Sequence, residues 1–222
     1  MKKSLRKIFL LSLVLLLSSC LNYEQVTTIK TDNTGKMFVH YWRYMGTDID
    51  SLLLTKVGLF NEDSLQSKFQ TTFTDVNFVK VFQDLNDSTL HAQLEFNFSN
   101  FDSLNFLPFF RNAKLANKET IDNEKVFSQL IQPITIGFDS IAKPLTIKYI
   151  YYLPGEIVEH NANSLSRNKL TWEFSVAEIG QGKLIKARYI PFKLKETPKL
   201  IYALALIVII IVLVFLFTKR KK

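Results

Sequence analysis

Residues 89–98 read TLHAQLEFNF, and their alternation decides the fold: Leu90, Ala92, Leu94, Phe96 and Phe98 fall on one side, His91, Gln93, Glu95 and Asn97 on the other. A period of two is that of a strand with one buried and one wet face. Such sheets favour antiparallel pairing. Residues 84–88, DLNDS, supply turn chemistry, so a hairpin is expected with the preceding run Asn77–Gln83. The same pattern returns in Asn168–Val176, where Leu170, Trp172, Phe174 and Val176 alternate with Lys169, Thr171, Glu173 and Ser175. Near the start, Asp32-Asn33-Thr34-Gly35 separates Tyr23–Thr31 from Lys36–Met45 as a further hairpin. Leu145–Leu153 and Lys183–Ile190 complete the expected strands.

Between the strand runs, one helix is legible. Asn61 is a good N-cap, Glu62 and Asp63 suit the positive helix end, and Leu65, Phe69 and Phe73 recur every four residues on one face. A second short helix is expected over 100–107. Residues 111–125, RNAKLANKETIDNEK, read as a polar loop, and Val126–Ile141 reads as either helix or strand. The expected fold class is therefore α+β, one mainly antiparallel sheet with one or two helices packed on one face, plus one C-terminal transmembrane helix.

That last expectation comes from the chain ends, which carry the charge. The formal net charge is +8. Lys2, Lys3, Arg6, Lys7, Lys219, Arg220, Lys221 and Lys222 account for all of it, leaving 20 basic and 20 acidic residues between them. Nucleic-acid binding by clustered cations is excluded on this distribution. The basic residues flank apolar runs instead. The first run, Ile8–Leu17, rises only about 15 Å as a helix, half of a ~30 Å hydrocarbon core, which is the layout of a secretory signal peptide. Leu17-Ser18-Ser19-Cys20 resembles the bacterial lipobox, in which the cysteine sulfur receives a diacylglyceryl group and becomes the new N-terminus. The alternative is an ordinary signal peptide with an incidental cysteine. Acylation of Cys20, the single cysteine, leaves no disulfide, thiolate nucleophile or Cys-based zinc site.

Leu200–Phe217 is uncharged and rises about 27 Å as a helix, close to a bilayer core. The basic tail after Thr218 is expected in the cytoplasm. The expected division is a cleaved lipoprotein signal peptide at 1–19, an extracytoplasmic α+β domain at 20–190, a linker at 191–199, a transmembrane helix at 200–218 and a basic tail at 219–222. This places the protein in the cytoplasmic (inner) membrane, with its domain facing the periplasm and held close to the lipid.

Pro154-Gly155-Glu156-Ile157-Val158-Glu159-His160-Asn161-Ala162, followed by Leu170-Thr171-Trp172-Glu173-Phe174, resembles the LppM-like family of bacterial lipoproteins, as does the layout of lipobox, N-terminal hairpin and C-terminal span. Gly is frequent in that family after the asparagine; Asn161–Asn168 has none. The resemblance implies an extracytoplasmic α+β domain similar to lipid-binding cavity folds, with no catalytic residues to carry over. Read from the residues alone, Pro154 and Gly155 break or bulge a strand, Asn161 starts a turn and Trp172 fills the core.

Catalytic constellations are sparse. Nucleophilic catalysis needs a hydroxyl or thiol beside an oriented base. The histidines are His40, His91 and His160; His40 and His91 stand mid-strand, His91 on the polar face. Glu156 and His160 share a strand face without a third metal ligand nearby in sequence. Walker, dinucleotide-binding and His-Glu-x-x-His motifs are missing. The pairs Glu62/Asp63 and Asp84/Asp87 fit helix-end and turn roles. No enzyme activity, cofactor or metal is expected.

Phenylalanine is in excess, 19 in all. Phe96, Phe98, Phe101, Phe106, Phe109 and Phe110 crowd one segment, either as a bulky core or as a cavity or lip that accepts an acyl chain. On the second reading Phe96, Phe98, Phe106, Phe109, Phe110 and Trp172 are the ligand-binding residues, Phe109 and Phe110 after Pro108 being the best exposed element. Two functions follow. One is a membrane-tethered domain that binds or senses a lipid or other amphiphile at the outer leaflet of the cytoplasmic membrane. The other is a non-enzymatic scaffold subunit docking an envelope protein.

Overall fold

The alternation that starts at Thr89 builds a strand, and its neighbours are found across the chain. A computed structural model describes residues 21–44, 58–132, 146–192 and 199–219. The chain forms two compact units, Met1–Pro191 and Phe192–Lys222. In the first, strands β1 (Leu21–Ile29), β2 (Gly35–Tyr44), β3 (Thr74–Asp84), β4 (Thr89–Phe98), β7 (Thr146–Tyr152), β9 (Ser164–Ser166) and β10 (Lys169–Ser175) form one sheet in the order β3-β4-β2-β1-β7-β10-β9. A second sheet holds β5 (Ala116–Glu119), β6 (Lys125–Ile131), β8 (Gly155–His160) and β11 (Lys183–Pro191) in the order β5-β6-β11-β8.

The expected α+β body is thus corrected to a mostly β one, with two sheets instead of one. The two inner faces bury each other: Phe127 of the second sheet stacks within 4.3 Å of Tyr151 and 5.9 Å of Trp172 on the first. The second sheet was hidden because its inward positions are partly polar. Asn117 and Gln129 are buried, which breaks the apolar alternation of β5 and β6, and β5 lies inside the stretch read as a polar loop. Pairing is antiparallel except between β1 and β7, which run parallel from Tyr23↔Ile147 to Thr28↔Tyr152.

The helices are short. Helix α1 (Glu62–Phe69) starts as its sequence demands, the Ser64 amide donating to Asn61 Oδ1 at 2.7 Å, and it buries Leu65 and Phe69. Its side chains also close the edge of the larger sheet. The Val81 amide donates to Glu62 Oε1 at 2.7 Å and the Val76 amide to Gln70 Oε1 at 2.9 Å, so bonds that a further strand would have made are already taken. A 3₁₀ helix runs over Asp102–Phe106 and a four-residue helix, α2, over Val176–Ile179.

The second unit contains an α-helix, α3 (Lys199–Lys219). Among the described residues no helix is long and apolar enough to cross a membrane. The expected transmembrane helix is corrected accordingly. The side chains described on α3, at 204–215, cover about 18 Å at 1.5 Å per residue, short of the ~30 Å of a hydrocarbon core. They are apolar and exposed. The signal peptide, Cys20, residues 193–198 of the linker and residues 220–222 of the tail lie outside the described residues.

Candidate functional site

The Phe-rich segment divides sharply. Phe96, Phe98 and Phe110 are 0–3 % exposed and Trp172 is fully buried, so these four pack the interior and present no face to a ligand. Strand parity sends Phe96 and Phe98 inward with Leu94. Phe106 and Phe109 go the other way, at 75 % and 43 % exposed. They sit on irregular chain around the 3₁₀ helix, where no periodicity assigns a face. Phe109 is supported from below by Phe69 at 5.6 Å, Phe110 at 4.9 Å and Tyr23 at 6.4 Å, and Phe106 meets the edge of Phe73 at 6.3 Å. The aromatic lip therefore has two exposed rings on a rigid aromatic base. Tyr23, Phe69 and Phe73 belong to this base through long-range packing that no local pattern announces.

Beneath the lip, the space between the sheets is occupied. Trp172, Tyr151, Tyr189, Phe96, Phe101 and Phe127 are its largest fully buried side chains. Polar groups there have fixed partners. Gln25 Nε2 donates to Tyr151 Oη at 2.7 Å, and Tyr151 Oη donates to Gln129 Oε1 at 2.5 Å, which ties β1 and β7 to β6 across the interface. Tyr189 Oη donates to Asn117 Oδ1 at 2.9 Å. Burial raises the Tyr151 phenol far above its ordinary value and pushes that of Tyr189 up to about 12. Both remain neutral donors in water at any physiological pH.

The residues carrying the family resemblance form a joint between the sheets. Trp172 Nε1 donates to Asn161 Oδ1 at 2.9 Å, and so does the Lys186 amide at 2.9 Å, while Asn161 Nδ2 donates to the Leu184 carbonyl at 2.7 Å. One amide thus fastens β10 of the larger sheet to β11 of the smaller. Gly155 is needed for close approach: a Cβ there would lie 2.2 Å from the Ile190 carbonyl oxygen and 2.5 Å from the Tyr189 ring. Pro154 precedes it at the turn into β8. No bond of this joint points to chemistry on a substrate.

A groove of about 180 Å³ lies on the outer face of the second sheet, lined by Val126, Glu159, His160, Lys186, Ala187 and Arg188. It is smaller than the ~300–1,000 Å³ of small-molecule sites. Its Arg188 is engaged by Glu124 at 2.8 Å and Glu159 at 3.4 Å. It does not offer an apolar slot.

On the outer face of the larger sheet, four rings stack in a row across β3, β4 and β2: Phe82 on His91 at 4.8 Å, His91 on His40 at 5.2 Å, and His40 on Trp42 at 4.5 Å. His40 Nε2 and His91 Nδ1 are 2.9 Å apart, close enough to share a proton. Burial, with the neighbouring His91 second, pushes His40 down to about 4. The two histidines are 51 residues apart and meet through the β2–β4 pairing. Only the register of those strands could have announced them.

Fold and site together define a two-sheet β domain with a filled interior and an exposed two-ring aromatic lip. Its chain path is similar to that of the folded domain of Mycobacterium tuberculosis LppM, solved by NMR, at a TM-score of 0.48 and 13 % sequence identity, covering 78 % of this chain and 91 % of that one. The likeness is one of chain path, and nothing about ligand or role is taken from it. No protein-family model and no curated protein matches the chain.

Proposed function

We propose that this chain is a non-enzymatic lipoprotein of the cytoplasmic membrane, acylated at Cys20, whose β domain works outside the cytoplasm and engages a lipid or other amphiphile through Phe106 and Phe109. The observation that carries the reading is the lip itself. Two large rings stand in water although the fold has an aromatic interior to receive such groups, and exposed aromatic elements are where chains meet apolar partners. The lip sits on a packed base, so an amphiphile would lie against the surface and not inside the sheet. The exposed apolar side chains at 204–215 of α3 support the membrane association, since each loses free energy by remaining in water.

The unit ending at Pro191 carries its own core, so residues 21–191 suit a direct test. They should bind a fluorescent fatty acid saturably, and Phe106→Ser with Phe109→Ser should weaken that binding about tenfold, in line with two lost apolar contacts of ~1 kcal/mol each. Absence of saturable uptake removes the reading. Palmitate labelling of the full chain should be lost in Cys20→Ser.

The scaffold reading draws on exposed Val158, Leu184 and Ile190 at the second sheet. Crosslinking in membranes separates the two, because a stoichiometric protein partner retained in the Phe106→Ser/Phe109→Ser variant supports the scaffold.

A further inference from the structure

The outer ring stack ends in a cluster that the amphiphile reading does not use. At the β3–β4 turn, Asp84, Asp87 and His91 each bring a ligand atom within 4.8 Å of the others. The turn's own bonds use one oxygen of each carboxylate. The Asn86 amide donates to Asp84 Oδ1 at 2.9 Å and its Nδ2 at 3.0 Å; the Thr89 amide donates to Asp87 Oδ1 at 3.1 Å, and the Thr89 hydroxyl to the same oxygen. Thr89 Oγ1 also lies 2.6 Å from His91 Nε2. Among the described residues, Oδ2 of each aspartate is left as an available lone-pair donor.

The imidazole is unusually well held for a side chain on an outer face. Phe82 lies parallel to it, at 6°. His40 Nε2 sits 2.9 Å from its Nδ1. Counting donors fixes the resting tautomer: the Thr89 hydroxyl proton goes to ionised Asp87, so His91 Nε2–H donates to Thr89 Oγ1, and His91 Nδ1 accepts from His40 Nε2–H. The chain of donors can reverse at one link. If the His91 proton moves to Nδ1, it donates to His40 Nε2, and Nε2 of His91 is freed as a lone pair facing the carboxylates. A neutral imidazole at position 40 serves both states, because it offers either an N–H or a lone pair. Ligating histidines characteristically have their second nitrogen bonded in this way, which fixes tautomer and ring direction.

We propose that Asp84, Asp87 and His91 form a site for a divalent first-row transition ion of the zinc type, with His40 as the residue that positions the imidazole. One imidazole nitrogen with two carboxylate oxygens suits Zn²⁺ and its neighbours, whereas Mg²⁺ and Ca²⁺ prefer all-oxygen sets. Zn–N and Zn–O bonds of about 2.0–2.2 Å require the three ligand atoms to close inward by roughly an ångström. The turn is exposed and leaves room for that.

The test is calorimetric titration of the full chain in detergent micelles, stripped with chelator, with ZnCl₂ and with MgCl₂. One Zn²⁺ per chain is expected, with no saturable Mg²⁺ uptake. His91→Gln and Asp84→Asn, checked for an unchanged thermal melt without metal, should each weaken Zn²⁺ by at least about tenfold, and His40→Phe by about 10–100-fold. His40→Gln, whose amide both donates and accepts, should recover much of that loss. Long-range ¹H–¹⁵N spectra should show the His91 proton moving from Nε2 to Nδ1 as zinc is added. Failure of the chain to take up Zn²⁺, equal uptake of Mg²⁺, or Zn²⁺ binding undiminished in His91→Gln overturns the site.

Discussion

The joint between the sheets and the ring stack on the outer face are built from the same kinds of residue, an aromatic set with polar groups at its ends. They behave differently because of where their hydrogen bonds stop. At the joint, Asn161 spends both its donor and acceptor capacity on Trp172, Lys186 and Leu184. Every partner there is a backbone group or a non-titrating side chain. At the outer face, the bonds run through His40, His91 and Thr89 to Asp87. Two of those groups change protonation or tautomer without a change of fold. Saturated networks specify a structure, and networks that end in titratable groups can respond to an ion or a proton.

That contrast breaks most clearly at its centre. Trp172→Ala should cost about 3–5 kcal/mol, since it removes a fully buried ring and leaves Asn161 half satisfied; urea unfolding of residues 21–191 measures it. Asn161→Ala should cost on the order of 2–3 kcal/mol by orphaning the indole N–H and two backbone groups, with Asn161→Asp in between because Oδ1 is retained. Gln129→Leu should cost about 1–2 kcal/mol, as Tyr151 loses its cross-sheet acceptor.

The outer face should instead show itself through pH. His40 is held down to about 4 from an ordinary 6.5, so the folded state disfavours its charged form. The unfolded chain therefore binds more protons between these values, and stability is complete above about pH 6.5 and falls as pH drops toward 4. The melting temperature of wild-type domain should decline over that window, and His40→Gln should flatten the slope. An unchanged slope would show that another group carries the acid sensitivity. Smallest of all, Phe106→Ser should alter stability by no more than about 0.5 kcal/mol, because its ring is mostly in water already; a larger loss would mean the lip is part of the core.

Much of the larger sheet was legible. The strand from Thr89, both hairpin turns, β7, β10 and the Asn61-capped helix follow from alternation, turn residues and capping. Those signals act within a few residues. The aromatic segment was legible in composition alone. Phe96 and Phe98 take their side from strand parity, but Phe106, Phe109 and Phe110 lie on chain without a period, and only packing against Phe69 and Tyr23 separates the buried ring from the exposed ones. The metal cluster was half visible, as Asp84, Asp87 and His91 lie within eight residues. Its positioning partner, His40, was not.

What the amino-acid order settles unaided is local: where the chain extends, where it turns, which side of each clean strand is apolar, and how its charge is partitioned between the ends and a neutral middle. The tertiary structure decided the rest, namely the second sheet, the parallel β1–β7 pairing, the Asn161 joint and the meeting of His40 with His91. Each depends on register between segments far apart in the chain. Register is selected by the burial and hydrogen bonding of the whole assembly, for which no short stretch carries a sufficient signal.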